Sequence, residues 1–298
     1  MVNREKLRGI FSALITPTNP DETVNYRALG EIVRRQLDDG VEGFYCCGSS
    51  GEGLLLTIEE RKKILECVIE SAEGRAPVIA HIGTIRTSDV LSMARHAKQA
   101  GAAAVSMIPP YYYQFTMDEI TRYYERVIEA EPDLGVIIYN IPQFTGIEFG
   151  MNNAQRLLNN PGIIGIKHTS KNLYSMERMR TAFPDKIIFN GFDEQLLGAL
   201  AMGADTTIGT TVNLFAPLFL KLRDCFQQHN MSEAMRLQTQ INERVEMMCQ
   251  FGIFNAIKFI WTLRGIDCGV CREPFQPLTD VPPHIQSFDS LCSQKCCQ

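Results

Sequence analysis

Several large protein classes need features that this sequence lacks. Positive charge is not in excess: 29 Lys and Arg stand against 34 Asp and Glu, a net charge of -5. With no long basic run either, nucleic acid is not an expected partner. No apolar run is long enough to cross a bilayer, so no membrane span is expected. Met1-Val2-Asn3-Arg4-Glu5-Lys6 has no apolar stretch behind it, and no signal peptide is read there. The 10 cysteines are scattered rather than framework-spaced, which suits reduced thiols in the cytoplasm better than a disulfide scaffold. No Gly-rich dinucleotide fingerprint follows the first predicted strand, which counts against an open, doubly wound nucleotide-binding sheet.

What is present is apolar substance. Hydrophobic residues make up 45% of the 298, enough for one barrel-sized core or two smaller ones. Short apolar segments recur along the chain. The first four are Phe11-Ser12-Ala13-Leu14-Ile15-Thr16, Gly43-Phe44-Tyr45-Cys46-Cys47, Val78-Ile79-Ala80-His81-Ile82 and Ala104-Val105-Ser106-Met107-Ile108. The next four are Val136-Ile137-Ile138-Tyr139, Ile163-Ile164-Gly165-Ile166-Lys167, Ile187-Ile188-Phe189-Asn190 and Asp205-Thr206-Thr207-Ile208. Helical stretches separate them. Asn25 caps one with Leu29, Ile32, Val33 and Leu37 on a single face, ending at Gly40. Thr57 with Glu60, and Thr116 with Glu119, form capping boxes for two more.

Repeated strand–helix units predict a parallel sheet, and eight of them predict a closed (β/α)8 TIM barrel over residues 7–212. After Gly209 only helical periodicity remains, over residues 214–228, 232–250 and 253–263. This predicts a C-terminal three-helix appendix over residues 213–280. Residues 281–298 read as a Cys-rich, loosely ordered tail.

Active sites of such barrels lie at the C-terminal strand ends. Lys167 closes the sixth apolar segment. A desolvated amine loses its proton more readily and attacks carbonyls, so Lys167 is a candidate Schiff-base nucleophile. The plain alternative is a strand-end lysine reaching water. Tyr139 ends the neighbouring strand as a candidate proton relay, or else as a core tyrosine. Ser49 and Ser50, flanked by glycines after the second strand, make a nest for a small carboxylate, or only a turn. Gly191-Phe192-Asp193-Glu194 and Gly209-Thr210-Thr211 end strands seven and eight with groups suited to a polyhydroxylated substrate, although Asp193 also reads as a helix N-cap. His81, His96 and His229 read as structural or surface residues. Tyr111, Tyr112 and Tyr113 read as an apolar loop face. Cys268, Cys271, Cys292 and Cys296 have a zinc-like spacing, but free thiols are the expectation and no metal is expected.

Four of these motifs occur in order at barrel spacing: Gly48-Ser49-Ser50-Gly51-Glu52, Tyr139-Asn140-Ile141-Pro142, Gly165-Ile166-Lys167 and Gly191-Phe192-Asp193-Glu194. Through them, over residues 7–275, the chain resembles the pyruvate-dependent class I aldolases that include dihydrodipicolinate synthases and N-acetylneuraminate lyases. The resemblance implies a Schiff base between Lys167 and pyruvate, with Tyr139 as relay and Ser49 and Ser50 on the pyruvate carboxylate. It implies a homotetramer in which Tyr112 enters a neighbouring subunit's site, and no cofactor. The synthase branch carries a carboxylate-binding arginine after Tyr-Asn-x-Pro; here the residues are Gln143, Phe144 and Thr145. The apolar residue there, the Gly-x-Asp-Glu motif and Lys167-His168-Thr169-Ser170 side with the sialate lyases.

That branch implies reversible cleavage of N-acetylneuraminate to pyruvate and N-acetylmannosamine, with Thr169, Gly191, Asp193, Glu194 and Thr210 along the sugar chain. Ser50 departs from a frequent threonine, keeping the hydroxyl. Thr210 replaces the lyases' serine, adding a methyl. The rival expectations are another pyruvate-dependent aldolase of this fold and a non-catalytic keto-acid-binding barrel.

Overall fold

The computed structural model describes residues 3–278. Its centre is a closed barrel of parallel strands paired in chain order: β1 (Ile10–Ala13), β2 (Gly43–Cys46), β3 (Val78–His81), β4 (Ala104–Met107), β5 (Val136–Asn140), β6 (Ile163–His168), β7 (Ile187–Asn190) and β8 (Thr206–Gly209). Around it run α1 (Tyr26–Asp38), α2 (Ile58–Ala72), α3 (Thr87–Ala100), α4 (Met117–Ala130), the short α5 (Pro142–Thr145) and α6 (Gln155–Asn159), α7 (Leu173–Ala182) and α8 (Leu196–Ala201). Three helices follow β8: α9 (Val212–Gln227), α10 (Met231–Gln250) and α11 (Ile253–Leu263). Helix α9 packs on β1 and α1 and so takes the eighth place in the outer ring, while α10 and α11 extend beyond it. The cysteine-rich stretch 281–298, with Cys292 and Cys296, lies outside the described residues.

Both faces of every strand are buried, which is why the strands read as nearly unbroken apolar runs. One alternation, with Phe11, Tyr45, Ile79, Ile137, Phe189 and Ile208, fills the barrel interior. The other, with Ile10, Phe44, Val78, Val105, Ile138 and Ile188, packs beneath the helices. The interior is therefore a second, packed core, and open space begins only at the strand ends.

The helix starts follow local rules. Both capping boxes form, Thr57 with Glu60 and Thr116 with Glu119, and Asn25 accepts from the Ala28 N–H. Some strand ends differ from the apolar runs. After Ala13, Leu14 N still donates to Tyr45 O, and beyond it side chains join in: Ile15 N donates to Asn213 Oδ1 and Thr16 Oγ1 to Gly51 O. Asp205 precedes β8, where its carboxylate accepts from Ile188 N and pairs with Arg8 and Arg180.

The sixth strand carries the main irregularity. Val136 of β5 pairs with Ile163, but Ile137 pairs with Gly165, so β6 holds one extra residue at that point. A one-residue slip exchanges the two faces of a strand. Ile163 packs outward under the helices, and strict alternation from it would turn residue 167 outward as well. The bulge at Ile164 restores the inward phase and sets Lys167 opposite Tyr139.

Candidate active site

The mouth of the barrel is built from inward-facing residues that end strands. Lys167 is 4% exposed, and its Nζ lies 3.7 Å from the centroid of the Tyr139 ring and 5.0 Å from that of Tyr45. Aromatic faces attract a cation without supplying a counter-charge that would trap it in a fixed ion pair. Among the described residues, no carboxylate lies within ion-pairing distance of Lys167. Tyr45 and Tyr139 meet edge to face at 6.1 Å, and His81 meets Tyr139 the same way at 5.8 Å. Burial pushes the Tyr45 phenol well above its usual range, and it hydrogen-bonds with Ser106 Oγ at 3.1 Å. Burial first, then Arg61 and Lys167, hold His81 well below the ordinary imidazole range, so the ring is neutral. Its Nδ1 lies 3.1 Å from Cys47 O, and Arg61 donates to the His81 carbonyl at 2.7 Å.

The ends of β5 and β6 are fixed from behind. Asn140 and His168 are opposite each other in register, and Asn140 Nδ2 reaches His168 Nδ1 at 3.0 Å. Asn140 Oδ1 accepts from Phe149 N, and His168 Nε2 meets Asn172 O at 3.1 Å. These two outward polar residues hold the backbone that carries Tyr139 and Lys167.

After β2, Gly48, Ser49, Ser50 and Gly51 turn across the mouth. Ser49 is half-buried, and Ser50 Oγ lies 2.8 Å from Thr210 Oγ1, joining the loops after β2 and β8. After β6, Thr169 is buried with an unpartnered Oγ1. A Cβ on Gly191 would lie 1.8 Å from that oxygen, so only glycine lets the two loops meet. Asp193 is buried as well. Its Oδ2 accepts from Thr211 N at 2.6 Å and from Thr211 Oγ1 at 2.8 Å, while Oδ1 has no partner. Burial pushes this carboxyl up to about 6, against the lowering effect of the Thr211 donors. Asp193 thus caps no helix that it begins; it pins the loop after β8. Glu194 is exposed at the same rim.

Most of the residues singled out from sequence therefore converge. The structure brings Lys167, Tyr139, Ser49, Ser50, Thr169, Gly191, Asp193, Glu194 and Thr210 to strand ends on one face of the barrel. Tyr112 stands apart: 87% exposed, with φ of 78°, it projects from the loop after β4. Tyr45, Ser106 and Arg61 join this cluster without a motif to mark them, and His81, expected as a structural or surface residue, packs against Tyr139. Tyr45 and His81 share the inward phase with Phe11 and Ile79, a phase that an unbroken apolar run does not reveal, and Arg61 lies on another element, α2. Cys268 and Cys271 are buried thiols that burial pushes up to about 12, far from the thiolate form that binds metal. Among the described residues, no group of three or more His, Cys, Asp or Glu is placed to hold a metal ion, and no helix is long and apolar enough to cross a membrane.

Comparison with known proteins agrees with this geometry. An N-acetylneuraminate lyase of Rhizobium meliloti is 40% identical over 276 residues, covering 93% of this chain and 92% of that protein. A Ruminococcus gnavus sialic acid aldolase, solved as a catalytic lysine mutant, superposes with a TM-score of 0.93 at 32% identity, covering 98% and 97% of the two chains. The Fusobacterium nucleatum N-acetylneuraminate lyase complexed with pyruvate superposes with a TM-score of 0.89 at 34% identity, covering 96% of each. The profile of the dihydrodipicolinate synthetase family matches residues 6–287. The barrel, the lysine at its sixth strand and the match along nearly the whole sequence agree: this chain belongs to the dihydrodipicolinate synthetase family.

Proposed function

We propose that this chain is a carbon–carbon lyase that cleaves N-acetylneuraminate reversibly to N-acetylmannosamine and pyruvate. The observation that carries the reading is the register pair Tyr139–Lys167, with the amine 3.7 Å from the phenol ring at the barrel mouth. The relatives named above act as lyases or sialic acid aldolases, one of them crystallised with pyruvate.

In the mechanism, Lys167 Nζ adds to the C2 ketone of the open-chain sugar through its nitrogen lone pair, and loss of water leaves a protonated imine. The C3–C4 bond then breaks. Its electron pair moves into the C2–C3 enamine, C4 becomes the aldehyde carbon of N-acetylmannosamine, and the C4 hydroxyl gives up its proton. Tyr139 relays that proton, then returns one to C3 before hydrolysis frees pyruvate. Ser49 and Ser50 hold the carboxylate. Thr169, Gly191, Asp193, Glu194 and Thr210 line the path of the polyol tail. The unpartnered oxygens of Thr169 and Asp193 suit hydroxyl groups, since buried polar atoms otherwise go unpaired at a cost. Residues 7–212 carry the catalytic strand ends, α9 completes the ring around them, and α10 and α11 support the rim. The chain works as a cytoplasmic homotetramer in which the exposed Tyr112 reaches a neighbouring site. Its scattered cysteines, reduced in the described residues, are in keeping with that compartment.

The test is pyruvate release from N-acetylneuraminate, paired with borohydride trapping of pyruvate. One reduced adduct per chain is expected, at Lys167. Lys167→Arg should abolish both release and trapping, because a guanidinium stays protonated. An adduct on another lysine, or release that survives the substitution, would overturn the mechanism.

A further inference from the structure

The loop that carries Ser49 and Ser50 is held in a shape its backbone does not favour. Cys47 and Glu52, at its two ends, have φ of 59° and 54°. Residues with a Cβ pay for that region and keep it only where their surroundings impose it. Between them the chain turns so tightly that a Cβ on Gly53 would lie 1.9 Å from Cys47 O.

His81, Arg61 and Thr16 hold part of the loop from the barrel side, and Glu52 ties it to the C-terminal helices. Glu52 buries its carboxylate against α11 and the segment that follows it. Glu52 Oε1 lies 2.6 Å from Lys258 Nζ on α11, and both side chains are 1% exposed. Glu52 Oε2 accepts from Arg272 N at 2.7 Å. Lys258 Nζ also donates to Val270 O at 2.9 Å. The segment 268–272 then grips both neighbouring loops. Thr18 N donates to Cys268 O at 3.0 Å and Thr18 Oγ1 to Val270 O at 2.5 Å. The Arg272 guanidinium reaches Leu55 O, Glu22 O and the Glu60 carboxylate.

A buried ion pair is weak evidence of stability, since well-packed apolar residues often serve as well. Its location gives a better reason. An unpaired Glu52 carboxylate would seek water, and any shift of its backbone would carry the neighbouring Ser49 and Ser50 with it. We infer that Glu52 and Lys258 are positioning residues: their buried pair keeps the Ser49–Ser50 loop shaped for a carboxylate and makes the C-terminal helices part of the substrate site. This rests on the reading that Ser49 and Ser50 hold that carboxylate.

The experiment uses the full chain and measures the pyruvate concentration that half-saturates borohydride trapping, with kcat and KM for N-acetylneuraminate and the thermal midpoint alongside. Lys258→Met and Glu52→Gln should each raise half-saturating pyruvate and KM by about tenfold or more while kcat changes by no more than about threefold. Lys258→Arg, which keeps the charge, should recover part of the loss. A fall in thermal midpoint with unchanged half-saturation would reduce the pair to a structural role and overturn the inference. If a single variant does not fold, the double variant Glu52→Gln/Lys258→Met, which leaves no lone buried charge, gives the same comparison: raised half-saturation supports the inference and normal half-saturation refutes it. Ser49→Ala and Ser50→Ala separate the two levels. If they weaken pyruvate binding while the Glu52 and Lys258 variants do not, only the positioning role falls; if they bind pyruvate normally, the carboxylate assignment falls and the inference with it.

Discussion

Asp193→Asn should make this protein more stable and less active, and pH should separate the two effects. The carboxyl is buried, and burial lifts it from 3.8 to about 6. Between those values the folded chain keeps a proton that the unfolded chain has released. The stability tied to this group is therefore full below about pH 4 and lost as pH rises through about 6. At about 1.4 kcal/mol per pH unit, the ionised group costs on the order of 2–3 kcal/mol above pH 7. Asparagine removes the buried charge. Its side-chain oxygen still accepts from Thr211 N and Thr211 Oγ1, the bonds that pin the loop after β8. The thermal midpoint should thus rise by about 5 °C at pH 8, and by about half as much at pH 5. Activity should move the other way. The other carboxylate oxygen has no partner, and a Cβ on Gly209 would lie 2.1 Å from it, so it faces the β8 rim. Loss of an anionic acceptor there should lower kcat/KM for N-acetylneuraminate by about tenfold. Thermal scans of both proteins at pH 5 and pH 8, with steady-state kinetics, decide the matter. Equal destabilisation at both pH values would refute the reasoning, because it would mean that the charge is already well compensated.

Three other outcomes follow from the same site. Glu194→Ala should lower kcat/KM for N-acetylneuraminate by about ten- to a hundredfold while borohydride trapping of pyruvate on Lys167 continues, because pyruvate has no polyol tail for that rim carboxylate; equal loss of trapping would make Glu194 a support of the fold. Gly191→Ala should destabilise the chain by about 2 kcal/mol or more and abolish cleavage, since its Cβ would collide with Thr169 Oγ1; a normal thermal midpoint and normal kinetics would show that the two loops are free to separate. Phe144, exposed on α5, stands where the synthase branch has an arginine, so condensation of pyruvate with aspartate semialdehyde should be undetectable by product assay; efficient condensation would move the chain to that branch.

The barrel was legible because each of its units is decided locally. Capping boxes need residues three apart, and a strand buried on both faces announces itself as an apolar run. The lysine was legible as chemistry but not as geometry. Counting alternately from Ile163 turns Lys167 outward, and only the bulge at Ile164 reverses that. Gly165 is its one local trace, since a glycine in a strand often marks such an irregularity. Tyr45 was hidden for a related reason: in an unbroken apolar strand, inward and outward tyrosines look alike. The partners of Asp193 and Glu52 were illegible in principle, because Thr211 and Lys258 lie on other elements and no sequence periodicity joins them.

The division of labour around the rim explains why the chemistry and the choice of substrate can vary separately. Bond breaking needs the lysine, the phenol and a carboxylate anchor, which sit on β5, β6 and the loop after β2. On the proposed reading the sugar tail needs acceptors and donors farther round, and Thr169, Asp193 and Thr210 would supply them from the loops after β6, β7 and β8. The two halves touch where Ser50 Oγ meets Thr210 Oγ1 at 2.8 Å. On the same reading a change at residue 210 would be felt on both sides: its hydroxyl bonds to Ser50 on the carboxylate loop, and its methyl would add bulk on the side of the tail. Serine at this position would keep the first effect and release the second, so substitution there acts on substrate range before it acts on Schiff-base formation.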